Sequence, residues 1–301
     1  MRTRKLGPLD VSIVGLGCNN FGGRIDEAAS VAVIDAAIGA GVAFFDTADV
    51  YGNKGGSETI IGNALRGRRD QVVLATKFGA DMGEGIERHG ARSYIHAAFE
   101  ASLRRLQTDL VELYQQHQED RGTPLEETFA ALKELVDQGA VRAVGTSNYE
   151  PDRVAEAAKV AADLGVPYVS EQSEYSWLHR DPEAELLAVC ARAGVGFIPY
   201  FPLASGLLTG KVHRDAPPAE GTRLHGREIP DADLEKVERL RGWADAHDVS
   251  LLEVAIGGLL AVAPVASVIA GATKPAQVEA NAQAGEWQPT DAELDEIRAL
   301  V

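Results

Sequence analysis

Cysteine is scarce in this chain, and basic residues are outnumbered. Cys18 and Cys190 are the only two cysteines in 301 residues. They stand far apart and neither has a metal-type spacing, so no disulfide framework and no thiolate metal site organises the fold, and a reducing, cytoplasmic setting is expected. The charge balance is 29 Lys and Arg against 45 Asp and Glu, a net −16. That excludes nucleic acid or an anionic membrane as the main partner, though a local basic pocket for one small anion stays compatible. Met1 to Pro8 carries basic residues with no apolar segment behind them, so no secretory leader is expected. The one long uncharged stretch, Val254 to Ala272, is divided by Gly257-Gly258, Pro264 and Ser267. It reads as a buried helix, about Leu251 to Val262, followed by a strand, Val265 to Ala270, rather than as a membrane span.

What remains is a globular composition, 45% hydrophobic and 25% charged, long enough for one large core. Short β-rich runs alternate with helical patterns. Leu9 to Leu16, with a turn at Pro8-Leu9-Asp10, predicts a small N-terminal hairpin or cap before the first core strand. Asp26 to Ala40 reads as a helix capped by Asp26, and Val42 to Phe45 as a strand ending at Asp46. Further strands are expected at Val72–Thr76, Leu110–Gln115, Val141–Thr146, Tyr168–Gln172, Gly196–Tyr200 and Val265–Ala270. Helices are expected at Ser57–Leu65, Arg92–Leu106, Leu125–Gln138, Asp152–Leu164, Glu183–Ala193, Leu251–Val262 and Lys274–Ala284. About eight βα units in one run predict a single-domain (β/α)8 barrel. The N-terminal hairpin cap, the loop Leu203 to Pro230 and extra C-terminal helices at Asp231–Asp248 and Asp291–Leu300 account for the surplus.

In such a barrel the polar residues at the C-terminal strand ends converge on one mouth. Here these are Asp46, Tyr51, Lys77, His117, Ser147, Asn148, Gln172 and Tyr200. Each alone reads equally well as a cap, a surface charge or a packing residue; their recurrence at successive strand ends marks them as a group. The chemistry of four of them is coherent. A phenol with a pKa near 10 needs help to exchange protons at neutral pH. A buried Lys77 ammonium favours the phenolate of Tyr51, and Asp46 keeps that lysine charged. At about 4 Å and an effective dielectric near 20 the ammonium–phenolate pair is worth roughly 4 kcal/mol, which limits the lowering of the phenol to about three pH units. His117 is placed to hydrogen-bond a substrate oxygen. The reaction that uses this set is protonation of a carbonyl oxygen while hydride reaches its carbon.

The segments Phe44 to Gly52, Ala75 to Gly79, Leu113 to His117, Val144 to Tyr149, Glu171 to Ser176, Pro202 to Lys211 and Ile269 to Lys274 resemble, in order and over nearly the whole chain, the aldo-keto reductases. The resemblance implies a (β/α)8 barrel that binds NADPH/NADP+ without a Rossmann domain and reduces aldehydes or ketones, its partner being a small carbonyl substrate. It makes Tyr51 the proton donor, Lys77 and Asp46 its tuning pair, and His117 the residue that orients the carbonyl. Ser147, Asn148 and Gln172 look like carboxamide ligands and Tyr200 like the ring that stacks on nicotinamide. Leu203, Ser205 and Leu207 to Lys211 look like the pyrophosphate loop, and Gly271, Thr273, Lys274, Gln277 and Asn281 like the adenosine end. Asn20, Phe21, Trp177 and parts of the loop from Leu203 to Pro230 are candidate pocket residues, while Trp243 reads as packing in the extra helix.

Two positions depart from the pattern. Thr273 and Gln277 stand where many relatives place an arginine, leaving Lys274 as the candidate partner of a 2′-phosphate and NADH admissible. Phe201 replaces a common serine and reads as a core residue. Two other phosphate motifs are poorer matches. Gly15-Leu16-Gly17-Cys18-Asn19-Asn20 lacks the third glycine and an adjoining helix start, and Gly206 to Lys211 lacks the Ser or Thr of a phosphate-cradling loop. A cofactor-binding regulatory protein of the same fold, like the channel-associated β subunits, is the alternative function, and a barrel isomerase or lyase without a redox cofactor is a third. The sequence assigns no oligomeric state and no physiological substrate.

Overall fold

A computed structural model of the chain describes residues 1–83, 85, 89–214, 218, 220 and 222–301. Its elements alternate as the sequence predicts. An antiparallel hairpin, β1 (Thr3–Leu6) and β2 (Leu9–Ser12), comes first, followed by β3 (Val14–Gly17), α1 (Glu27–Gly39), β4 (Phe44–Asp46), α2 (Tyr51–Ala64), β5 (Val73–Phe78) and α3 (Arg92–Leu106). The pattern continues through β6 (Val111–Gln116), α4 (Leu125–Asp137), β7 (Val141–Ser147), α5 (Pro151–Leu164), β8 (Tyr168–Glu174), α6 (Leu186–Ala193) and β9 (Gly196–Tyr200). It ends with α7 (Asp231–Ala246), α8 (Leu251–Leu260), β10 (Val268–Gly271), α9 (Pro275–Ala284) and α10 (Asp291–Ala299).

Eight parallel strands form one sheet in the order β10-β3-β4-β5-β6-β7-β8-β9. A parallel bridge between Phe197 and Val265 brings its two edges together, so the sheet is a nearly closed (β/α)8 barrel. Helices α7 and α10 are the additions to the eight-unit plan. The expected strand from Val265 is corrected here: Val265 only bridges, and regular pairing starts at Val268, after the Ala266 amide has been drawn to the Phe197 carbonyl. The hairpin turn is also displaced from the expected position. It lies at Gly7-Pro8, because Leu6 pairs with Leu9 and Gly7 takes φ +57°.

Local chemistry sets the helix ends. Asp26 accepts from the Ala29 amide at 2.8 Å, and Ser250 with Glu253 and Thr290 with Glu293 form capping boxes at α8 and α10. Gly165 and Gly194 end α5 and α6 in the left-handed region.

The core has two layers. Phe45, Leu74, Val144 and their neighbours face the helices. Inside the barrel, Phe44, Ala75, Leu113, Ala143, Val169, Ile198 and Ile269 pack together and are plugged from below by Leu6, Leu9 and Val11 of the hairpin. Side chains on a strand alternate, so two residues past an inward apolar residue the next inward one appears. That parity carries Phe44 to Asp46, Ala75 to Lys77, Leu113 to Gln115 and Ile198 to Tyr200. One polar layer thus sits on top of an apolar plug.

Candidate active site

At the centre of that layer Lys77 Nζ lies 2.5 Å from Asp46 Oδ2 and 3.0 Å from the Thr47 carbonyl. Both side chains are enclosed, Lys77 at 0% and Asp46 at 2% exposure. Such a pair repays its desolvation only if its remaining lone pairs are satisfied. Asp46 Oδ1 meets this by accepting from Gln115 Nε2 at 3.1 Å and Gln172 Nε2 at 3.0 Å. Burial works to lower the Lys77 pKa, yet the Asp46 carboxylate and the Tyr51 phenol together hold it above the ordinary value. The lysine is therefore a cation at any working pH.

Tyr51 opens the segment after β4, its amide bonded to the Ala48 carbonyl at 3.2 Å. The turn behind it needs glycine: Gly52 has φ +68°, and a Cβ there would lie 2.4 Å from the Phe21 carbonyl oxygen. Lys77 Nζ is 5.2 Å from the centre of the Tyr51 ring, and the His117 imidazole meets that ring edge-on at 5.6 Å. Burial raises the phenol above its ordinary pKa, with Lys77 pulling the other way. Lys77 lowers the phenol as expected, but the expected net downward shift is corrected to an upward one, because desolvation of the phenolate outweighs the ammonium. His117 is pushed down to about 3, by burial first and Lys77 second. Its ring is neutral at neutral pH, and Nδ1 is enclosed without a hydrogen-bond partner among the described residues.

The next ring of residues leans on this centre. Asn148 takes the left-handed conformation, φ 61°, and its Nδ2 donates to the His117 carbonyl and to Ser147 Oγ, each at 3.0 Å. Its Oδ1 accepts from the Tyr200 hydroxyl at 2.9 Å. Ser147 Oγ in turn donates to the Gln172 carbonyl at 2.7 Å. The enclosed Glu171 carboxyl accepts from Thr146, Ser173 and the Tyr149 amide and, pushed up by burial to about 7, anchors the strand end that carries Asn148. Ser147, Asn148, Gln172 and Tyr200 are therefore one connected set.

Ser205 and Leu207 lie in a 3-10 turn, Ala204–Thr209, after β9, with Leu203 immediately before it, Leu207 buried and Lys211 exposed beyond it. Gly271 ends β10, and Gln277 Oε1 accepts from the amides of Thr273 and Lys274 at 2.7 and 3.2 Å, capping α9. Lys274 is exposed and Asn281 buried.

The pocket set needs correction. Trp177 is fully enclosed, with Nε1 donating to the Val254 carbonyl at 2.8 Å and its ring against Gly258 of α8, which places it in the outer core. Phe21 is equally enclosed, in the same apolar cluster. Asn20 does stand at the mouth, where Nδ2 donates to the Ala272 carbonyl and Oδ1 accepts from Arg223 at 3.1 Å. Within the loop Leu203 to Pro230, residues 215–217, 219 and 221 lie outside the described residues. Phe201 is 37% exposed rather than core, with the Arg223 guanidinium 5.2 Å from its ring centre. Trp243 packs as expected, its indole donating to Glu296. The sequence assigns no role to Gln115, and Arg223 is not singled out within the candidate loop Leu203 to Pro230. Gln115 was detectable, since it pairs in register with Lys77; Arg223 reaches Asn20 across 203 positions and left no signal.

A family model described as Aldo/keto reductase family matches residues 13–301. The chain belongs to the aldo/keto reductase family. It is an oxidoreductase of a family that uses nicotinamide cofactors. A solved structure titled aldo-keto reductase AKR11C1 from Bacillus halodurans (holo form) superposes with a TM-score of 0.84 at 36% identity, covering 100% of this chain and 96% of the other. The probable voltage-gated potassium channel subunit beta of Oryza sativa subsp. japonica is 37% identical, covering 93% of this chain and 90% of that protein. L-glyceraldehyde 3-phosphate reductase of Escherichia coli (strain K12) is 33% identical over 88% of this chain and 81% of that enzyme. No helix among the described residues is long and apolar enough to cross a membrane.

Proposed function

We propose that this aldo/keto reductase reduces aldehydes or ketones to alcohols with a reduced nicotinamide dinucleotide, preferring the phosphorylated form, and that Tyr51 is the proton donor. The observation that carries the reading is the enclosed Asp46–Lys77 pair at the Tyr51 ring, with a neutral His117 meeting the same ring edge-on.

The residues present fit such a cofactor by their chemistry. A carboxamide needs both a donor and an acceptor, and Ser147, Asn148 and Gln172 bring hydroxyl and amide groups together, with the Tyr200 ring beside them. Gly206 and Gly210 have positive φ, and a Cβ on either would meet nothing within 4 Å. Backbone amides of the turn holding Leu203, Ser205 and Leu207, with Lys211, suit a pyrophosphate. Gly271, Thr273, Gln277 and Asn281 would receive the adenosine, and Lys274, exposed at the start of α9, would meet a 2′-phosphate.

When bound, the cofactor supplies hydride to the carbonyl carbon. This chain's residues do the rest. Tyr51, protonated at neutral pH because its pKa is raised, donates O–H to the carbonyl oxygen as negative charge develops there. Lys77 stabilises the phenolate left behind, and Asp46 holds the lysine in place. His117, neutral, offers its one ring N–H to the same oxygen. Substrate choice falls to the mouth residues Asn20, Phe201 and Arg223.

The rice channel subunit keeps the regulatory reading alive, since such a protein also uses this fold. Mixing the purified protein with an aromatic aldehyde and either reduced cofactor separates the two. Aldehyde-dependent oxidation, faster with the phosphorylated form and losing that preference in Lys274→Ala, is the expected result. Cofactor binding without oxidation would favour the regulator, and no binding at all would sink both.

A further inference from the structure

Behind Tyr51 and Lys77 lies a second acidic group that the proton donation does not use. Asp49 sits in the segment between β4 and α2, only 2% exposed, with its amide donating to the Lys77 carbonyl at 3.1 Å. Among the described residues its Oδ1 has no hydrogen-bond partner. On α2 the wholly enclosed Glu58 carboxylate accepts from Thr76 at 2.5 Å and, in an ion pair beside Asp49, from Arg105 of α3 at 2.6 Å. On β6 the Tyr114 hydroxyl, also enclosed, lacks a partner as well. The groups facing Asp49 are therefore Glu58, Arg105, Lys77 and Tyr114, with Asp46 and Tyr51 on its own stretch.

A carboxylate in this enclosed place would have one bare oxygen and an anionic neighbour, and a proton relieves both conditions at once. We propose that Asp49 is a positioning residue of the acid–base site: a buried carboxyl that holds a proton in the working enzyme and, on ionising, makes Tyr51 a poorer donor. This rests on the reductase reading above. The direction follows from charge. A negative charge on Asp49 faces Lys77 and offsets the ammonium that favours the phenolate, so it raises the phenol's pKa and slows proton donation to the carbonyl. Burial first, then Glu58, lifts the carboxyl to about 7, against the Val50 amide, Arg105 and Lys77. The expected limb is thus a fall in carbonyl reduction as pH rises through neutrality, by about tenfold if the phenol rises by about one pH unit.

The test uses the intact protein. Carbonyl reduction with saturating reduced cofactor and pyridine-3-carbaldehyde is followed from pH 5.5 to 9 for the wild type, Asp49→Asn and Asp49→Glu. In parallel, infrared difference spectra of the protein without cofactor follow the protonated-carboxyl band. The expected result is a wild-type limb near pH 7 that Asp49→Asn abolishes, leaving it about tenfold faster than wild type at pH 8, and that Asp49→Glu restores with a shifted midpoint. The same variant should remove one neutral-range component of the carboxyl band; Asp49→Ser substitutes if the asparagine does not fold. A limb of unchanged midpoint in Asp49→Asn overturns the proposal. If the wild type turns over no aldehyde, the reductase reading falls, and the band still decides for Asp49: its loss in Asp49→Asn upholds the buried proton, and its persistence overturns it.

Discussion

The side-chain amide of Gln172 donates to Asp46 Oδ1 at 3.0 Å, joining β8 to β4 across the mouth of the barrel. The two residues are 126 positions apart. Their bond means that Gln172, a candidate carboxamide ligand, also helps to hold the carboxylate that keeps Lys77 charged. The proposed cofactor contacts and the proposed proton chemistry therefore share one hydrogen-bonded layer, and substitutions in it should have consequences for both.

Tyr51→Phe removes the hydroxyl and little else, since the ring keeps its contacts with Lys77 and His117. Turnover with an aromatic aldehyde should fall by about 10²-fold or more, with the dissociation constant of the cofactor changed little. Near-wild-type turnover would falsify Tyr51 as the proton donor.

Lys77→Met leaves Asp46 enclosed with its two glutamine donors but no cation. The variant should lose turnover and also about 3–5 kcal/mol of stability in urea denaturation, the cost of an uncompensated buried charge. Adding Asp46→Asn should recover much of the stability and none of the turnover. If the double variant were no more stable than the single one, the charge argument would fail.

His117 is depressed to about 3 in the folded chain, against about 6.5 unfolded. Below the unfolded value the unfolded chain binds more protons, so the stability this residue contributes is complete above about pH 6.5 and lost as pH falls towards 3. His117→Gln should flatten that acid slope, by a few kcal/mol at most, in denaturation curves taken at pH 7 and pH 4. An unchanged slope would mean the imidazole is not desolvated.

Trp177→Phe should leave KM for aldehydes unchanged, because the indole is packed against α8 and does not face the mouth. It should destabilise the fold by about 1–3 kcal/mol, through the Val254 carbonyl left without its donor. A large change in KM would return Trp177 to the pocket.

Most elements of the barrel were legible because period and punctuation are local: the 3.6-residue pattern of α3 and the cap at Asp26 need no distant partner. The strand starts near Val265 and the turn near Gly7 were displaced, because ladder hydrogen bonds made with other strands set them. Trp177, Phe21 and Phe201 were misplaced for a related reason. Large apolar residues in loops carry no mark of whether they face a mouth or a helix.

From the sequence alone came the eight-unit barrel and the identity of the strand-end residues, since alternating side chains and apolar runs dictate which positions lie beside which. Only the tertiary structure decided their energetics. Burial outweighs Lys77, raises Tyr51 and leaves Asp49 with a bare oxygen, and packing makes Gln115 and Gln172 joint donors to Asp46. Desolvation depends on everything packed around a group, and no stretch of chain contains that information.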